Sequence, residues 1–280
     1  MKRASSAPRG SGCRFVDLLV TPFGRGRVAC ILCGTCACAS AVTSIDAHSD
    51  APPFDRPGIA FSTGTFAAGT YDWEQSALDV QGATPDDDAS TTYGVGARFR
   101  VGLTDTVELQ LASSFYNWMR EHTAGRTRTA DGSGDASVAV KVALPSSSER
   151  FSWASLATVT FANGANEFTN GSTAYDLGTT LGYQLSDGMS TAFFVDVGHL
   201  DGATSVQVSP NLNFGLTQTL GAFVEAGATF ADHGTSDVVV GGGFTWMVTP
   251  AVQLDASADF GLTSQSPRVV AGLGVSVFFE

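Results

Sequence analysis

The sequence predicts an all-β protein, a single antiparallel transmembrane β-barrel of about twelve strands, and three observations lead there. The closing stretch from Val238 to Glu280 alternates apolar and polar residues through three strand-length runs, and parity along a strand is the face of the sheet. Val238, Val240, Phe244, Trp246 and Val248 share one face. Val252, Leu254, Ala256, Ala258, Phe260 and Leu262 share another, against Gln253, Asp255, Ser257 and Asp259. An apolar face opposite one that carries carboxylates suits a wall between lipid and a wet lumen. The second observation is compositional: the chain is only 15% charged, holds 32 glycines, and after residue 45 has no apolar run near the ~20 residues of a spanning helix. Spanning then falls to strands, whose backbone groups must pair with one another. The third is that tight turns alternate with longer polar connections along the chain.

Residues 1–41 read as a cleaved export signal. Lys2, Arg3, Arg9, Arg14, Arg25 and Arg27 precede the small apolar run VACILCGTCACASA, and Ala39-Ser40-Ala41 forms the cleavage motif. All the cysteines (Cys13, Cys30, Cys33, Cys36, Cys38) lie in this leader. They lack the second ligand cluster a zinc site needs, and export of a cysteine-free chain fits an oxidising periplasm. The leader holds six basic residues against Asp17 alone, so the remaining chain of about 239 residues carries about −17 rather than the −12 of the whole. An acidic field of that size repels phosphate backbones and excludes nucleic acid as a partner.

Residues 42–69, which contain DAHSDAPPFDRPG, form a polar lead-in expected in the periplasm, and residues 70–280 form the barrel. The first four strands are expected over 70–82, 91–103, 107–120 and 135–144. Their lipid face carries Tyr93, Val95, Ala97, Phe99, Val101 and Leu103, then Val107, Leu109, Leu111 and Phe115, then Val138, Val140, Val142 and Leu144. The next four fall at 152–163, 173–185, 189–200 and 205–216, and the last four at 220–231, 238–248, 252–263 and 268–279. An even count returns both barrel ends to one side. LTDT, LSDG, LTQT and VTPA are tight periplasmic turns, with PSSSER a longer one. PDDDAS, HTAGRTRTADGSG, NGANEFTNGS and ADHGTSD are external loops. Aromatics near strand ends (Tyr71, Trp73, Trp118, Trp153, Tyr183, Phe279) match interfacial girdles. The rival reading, the core of a soluble β-sandwich, sends polar faces to bulk water on both sides of the molecule.

The opposite parity defines a lumen lined by Arg98, Arg100, Glu108, Lys141, Asp176, Asp196, Glu225, Asp255 and Asp259, with the amides Gln110, Gln207, Asn211, Asn213 and Gln253. Such a set serves either as a pore wall that selects solutes or as an ion-pair network that closes a narrow barrel. No catalytic residue, cofactor or metal is assigned. His199, Asp201 and Ser205 are the nearest approach to a hydrolytic set, without a nucleophile elbow. Asp86, Asp87 and Asp88 lack the spacing of a calcium loop, and Gly241, Gly242 and Gly243 precede no helix that could cradle phosphate.

Five segments carry a resemblance: DRPGIAFSTGTFAAG, RVGLTDTVELQL, GDASVAVKVALP, TPAVQLDASADFGL and PRVVAGLGVSVFF. In their order and spacing, across roughly residues 55–280, they resemble the outer-membrane proteins named for the meta pathway of phenol degradation. The resemblance implies a transporter-like barrel in the outer membrane of Gram-negative bacteria, associated by name with aromatic compounds. The expected function is passive uptake of small solutes, aromatic or hydrophobic ones among them, past a constriction that includes Arg98, Arg100, Glu225 and Asp255, with Phe194 and Phe278 as inward aromatic contacts. The alternative is a closed-lumen structural or adhesive barrel. Expected partners are outer-membrane lipid, a small-molecule solute and the barrel assembly machinery; the last reads a terminal aromatic, which here is Phe279 before Glu280.

Overall fold

A computed structural model of the protein describes residues 51–280 apart from 84–88, 124 and 233–236. The signal segment with its cysteines, the acidic triplet at Asp86 and the histidines His48 and His233 lie outside the described residues. Among these, the chain is all-β: β1 (Tyr71–Ala83), β2 (Ala89–Thr104), β3 (Val107–Thr123), β4 (Arg126–Gly132), β5 (Ala136–Leu144), β6 (Phe151–Phe161), β7 (Ala174–Ser186), β8 (Met189–Leu200), β9 (Ala203–Gly215), β10 (Leu220–Ala231), β11 (Asp237–Thr249), β12 (Val252–Gly261) and β13 (Val269–Phe279). Every neighbouring pair is antiparallel. β1 pairs with both β13 and β2, and β2 pairs with β3, so among the described residues the strands other than β4 close into a ring, while β4 pairs with β3 alone.

Twelve strands form the barrel, and β4 is an addition the sequence reading placed in a loop. Its residues RTRTADG are polar and end in glycine, which reads as a loop when no partner is known. The partner is the long outer half of β3: Asn117–Thr123 pairs with β4, while Val107–Ser113 pairs with β5. Ser133, Gly134 and Asp135 interrupt what is otherwise one continued strand, and Gly134 N–H bonds the Ser114 carbonyl at 2.8 Å. A bulge opposite Val95 and Gly96 also shifts the alternation, so Phe115 and Tyr116 both face outward and Asn117 and Met119 turn in.

The outer wall is apolar in the way lipid requires. Leu111, Leu177, Leu181, Val197, Val224, Phe244, Phe260 and Leu273 are exposed there, a burial no soluble protein would forgo over so large an area. Tyr71 stacks on Phe279 at 5.0 Å between ring centres and Tyr93 tilts against Trp118 at 5.5 Å, at opposite ends of the wall.

The largest departure from expectation concerns the lead-in. Residues 53–66 lie inside the barrel instead of hanging below it. Phe54, Asp55, Ala60, Phe61, Ser62 and Phe66 are all buried. Pro53 faces Gly64, and Ser62 Oγ donates to the Pro53 carbonyl at 3.0 Å. The segment is therefore a hairpin that rises from the short-turn end, reverses around Gly58 (φ 105°), and descends to Thr70 and the start of β1. Its descending arm is tied at the bottom, where Thr65 Oγ1 donates to the Asp105 carbonyl at 3.0 Å and Gly69 N–H to the Gly102 carbonyl at 2.9 Å.

Candidate functional site

A barrel of eight strands is filled by its own side chains, whereas one of sixteen encloses an aqueous channel. Twelve strands leave a bore too wide for side chains alone, and the hairpin occupies part of it. Its contacts run around the circumference. Asp55 sits among β1, β2, β3 and β5, Thr63 bonds Ser152 of β6 at 2.7 Å, Phe61 packs edge-on against Phe194 of β8 at 5.7 Å, and the Ile59 N–H donates to Glu225 of β10 at 2.8 Å.

Asp55 is the centre of this arrangement. Lys141 Nζ donates to its Oδ1 at 2.8 Å, Gln110 Nε2 to its Oδ2 at 2.9 Å and the Ser62 N–H to Oδ1 at 3.0 Å. Arg100 and Arg98 stand 3.4 and 3.8 Å away. Burial works against the charge of Asp55, but Arg100, then Lys141, then Arg98 outweigh it and hold the carboxyl below the usual carboxylate range. Arg100 is wholly buried and uses its whole fork: Nε and Nη2 grip Glu108 at 2.7 and 3.0 Å, and Nη1 reaches Glu74 at 3.0 Å and the Pro53 carbonyl at 2.9 Å. Its guanidinium lies 4.6 Å from the Phe66 ring centre, and Phe66 stacks on Phe278 at 5.4 Å.

The apex is held by a second ion pair. Arg56 Nη2 donates to Asp255 at 3.1 Å, with Asp79 at 3.9 Å, while Gln253 Nε2 donates to the Arg56 carbonyl at 2.9 Å. Room for this comes from the wall. A side chain on Gly274 would overlap the Arg56 guanidinium, and one on Gly227 would meet Ile59 Cδ1 at 2.7 Å.

The residues expected to line the lumen thus divide in two. Arg98, Arg100, Glu108, Lys141, Glu225 and Asp255 hold the hairpin rather than flank an open constriction. Phe194 and Phe278 likewise contact hairpin rings. Asp259, Asp176 and Asp196 lie nearer the long-loop end. Asp55, Arg56, Asp72 and Glu74 belong to the same network and were missed by parity reading; the first two sit in a segment with no alternation. The signal that could have found them is the density of DRPG with Phe61 and Phe66 in a supposedly solvated lead-in.

The long-loop end is narrowed too. Asp135, buried just before β5, accepts the N–H groups of Asn163, Gly164 and Asn170 at 2.9, 2.7 and 2.7 Å. This folds the β6–β7 connection back against the inner face of β4, where Phe168 is buried beside Gly132 and Arg128 pairs with Glu167. His199, by contrast, bonds Thr204 at 3.3 Å on the outer face, while Ser205 pairs with Gly198 on the inner one. The wall separates those two residues.

A closed antiparallel barrel with an apolar outer girdle and a polar, partly occupied interior is the fold of outer-membrane channels. The chain belongs to the family described as "Putative MetA-pathway of phenol degradation", whose model matches residues 54–279. Among solved structures it is similar to the COG4313 outer membrane channel from Pseudomonas putida F1, with a TM-score of 0.65 at 12% identity over 78% of this chain and 98% of that one. It is also similar to a KdgM porin in complex with disordered oligogalacturonate, with a TM-score of 0.50 at 9% identity over 75% and 99%. No curated protein sequence matches it. The family match begins at Phe54, so it takes in the hairpin as well as the strands.

Proposed function

We propose that the protein is an outer-membrane channel that lets small solutes, aromatic or hydrophobic compounds among them, move passively into the periplasm. The observation that carries this reading is the division of the lumen. One half is filled by a hairpin held only by non-covalent contacts; the other is walled by Asp176, Asp196, Asp259 and hydroxyl side chains, groups that a barrel serving only as a wall has no need to keep polar. The family's name supports an aromatic solute. Lipid, the solute and the assembly machinery that inserts the barrel are its partners on this reading, and no residue is assigned a covalent step.

Solutes enter past the inward-folded β6–β7 connection, reach the acidic chamber, and leave along or beside the hairpin. A second reading, a closed barrel with a structural role, draws on the complete burial of Asp55, Arg100 and Lys141. Conductance in planar bilayers separates the two. The refolded protein should open in small steps, and a variant lacking residues 51–66 should conduct several-fold more. Silence from both proteins would sink the channel.

A further inference from the structure

The inner wall across β6, β7, β8 and β9 falls into rows set by the strand register. Thr158, Asp176, Gly198 and Ser205 form one row; Leu156, Gly178, Asp196 and Gln207 the next; Ala154, Thr180, Phe194 and Ser209 the third. The two carboxylates are diagonal neighbours, each leaning over a glycine. Asp196 Oδ1 lies 3.1 Å from where a Gly178 Cβ would stand, and Asp176 Oδ1 lies 2.8 Å from a Gly198 Cβ, with Ser205 Oγ at 3.1 Å from that same point. Among the described residues neither carboxylate joins an ion pair, although the hairpin network a few residues away pairs every one of its cations.

A separate observation points the same way. Thr180 and Ser209, in the row below Asp196, and Thr160, one step beyond Thr158, are wholly buried, and their hydroxyls have no hydrogen-bond partner; Asp176 Oδ2 has none either. Buried polar atoms are nearly always satisfied, so a group of unsatisfied ones around two unpaired carboxylates marks a place that wants a donor. Between Thr180 and Ser209, in the row below Asp196, Phe194 packs with Phe61 of the hairpin and supplies an apolar floor.

We propose that this patch is a binding subsite for a small organic ammonium ion. An ammonium offers three N–H donors and no acceptor, which matches two carboxylates with flanking hydroxyl oxygens, and its carbon body would rest toward the aromatic floor. Among the described residues no third His, Cys, Asp or Glu joins these two carboxylates to make a metal-binding group. The subsite goes beyond the channel reading and stands whether or not a solute crosses the barrel.

Equilibrium titration of the refolded, detergent-solubilised protein with benzylammonium, benzyl alcohol and benzoate tests it. Benzylammonium should bind at least ten-fold more tightly than benzyl alcohol, and benzoate should not bind. The Asp176→Asn, Asp196→Asn double variant should lose that preference, and Thr180→Val alone should weaken benzylammonium several-fold, each variant first shown to be folded by its heat-modifiable migration on gels. If the double variant fails to fold, Asp196→Asn alone must still weaken benzylammonium. Equal binding of the amine and the alcohol, or an amine affinity unchanged in these variants, overturns the subsite. Because binding is read in micelles and passage in bilayers, a failure here leaves the channel proposal intact, and a silent bilayer leaves the subsite intact.

Discussion

At Asp55 three positive side chains, Arg98, Arg100 and Lys141, surround one buried carboxylate that accepts hydrogen bonds from Lys141, Gln110 and the Ser62 N–H. Removing its charge by Asp55→Asn strands Arg98, Arg100 and Lys141 with less compensation than burial demands. Losing one member of such a network costs about 3–5 kcal/mol, and here the loss should appear as faster proteolysis of the lead-in while the barrel itself survives. The pH dependence has a definite sign. The folded pKa of Asp55 lies below its unfolded value of about 3.9, so its contribution is fully present above that value and is lost only as pH falls through the lowered folded value. Protection of residues 53–66 should be constant between about pH 8 and 5, and a loss within that window would mean that other groups seat the hairpin. Arg98, Arg100, Glu108 and Lys141 were legible as inward residues from parity alone. What they bind was not, since parity assigns a face and gives no information about what occupies the space in front of it. Phe115 and Tyr116 show the opposite limit, because a bulge in the ladder lets two consecutive residues face lipid and breaks the counting rule beyond them.

Among the elements, the strands were legible and the hairpin and β4 were not, for one physical reason. A barrel strand carries its own signature because lipid and lumen demand opposite side chains at successive positions. The hairpin faces the wall on all sides, so its residues answer to local neighbours and show no period. β4 extends past the end of β5 beside the outer half of β3, where most of RTRTADG is exposed and need not alternate. The seat of the hairpin can be probed from the wall. Gly274→Val should displace Arg56 from Asp255 and raise conductance toward that of the hairpin-deleted protein, with Gly274→Ala intermediate; unchanged conductance in the valine variant would show that the apex plays no part in closure. At the other end, Asp135→Ala removes the acceptor shared by three backbone N–H groups and should expose residues 163–170 to protease without altering the melting of the barrel.

For the molecule as a whole, the two faces of the wall should tolerate charge very differently. Leu181 lies midway along β7 on the lipid side, and Leu181→Arg should cost about 2–4 kcal/mol in folding measured from lipid bilayers. Gln207→Arg, facing the acidic chamber, should cost far less. Similar costs at both sites would contradict the assignment of faces. The intact protein should also fractionate with the outer membrane and migrate faster on gels before heating than after. The overall plan was legible because alternation, turn length and the even strand count agree with one another, as they must when a closed sheet crosses a bilayer.

The hairpin also alters what kind of mechanical object the barrel is. A ring of strands joined only edge to edge can flatten, since each hydrogen-bonded seam acts as a hinge. Asp55, Arg56, Phe61 and Thr63 tie the seams near β2 and β5 to those near β6, β8 and β12, and they act as spokes that hold the rim round. All of these spokes belong to one short stretch of chain that enters from one end. Withdrawing that stretch would therefore free the whole rim at once, so the cross-section of the barrel and the seating of its first described residues form a single variable.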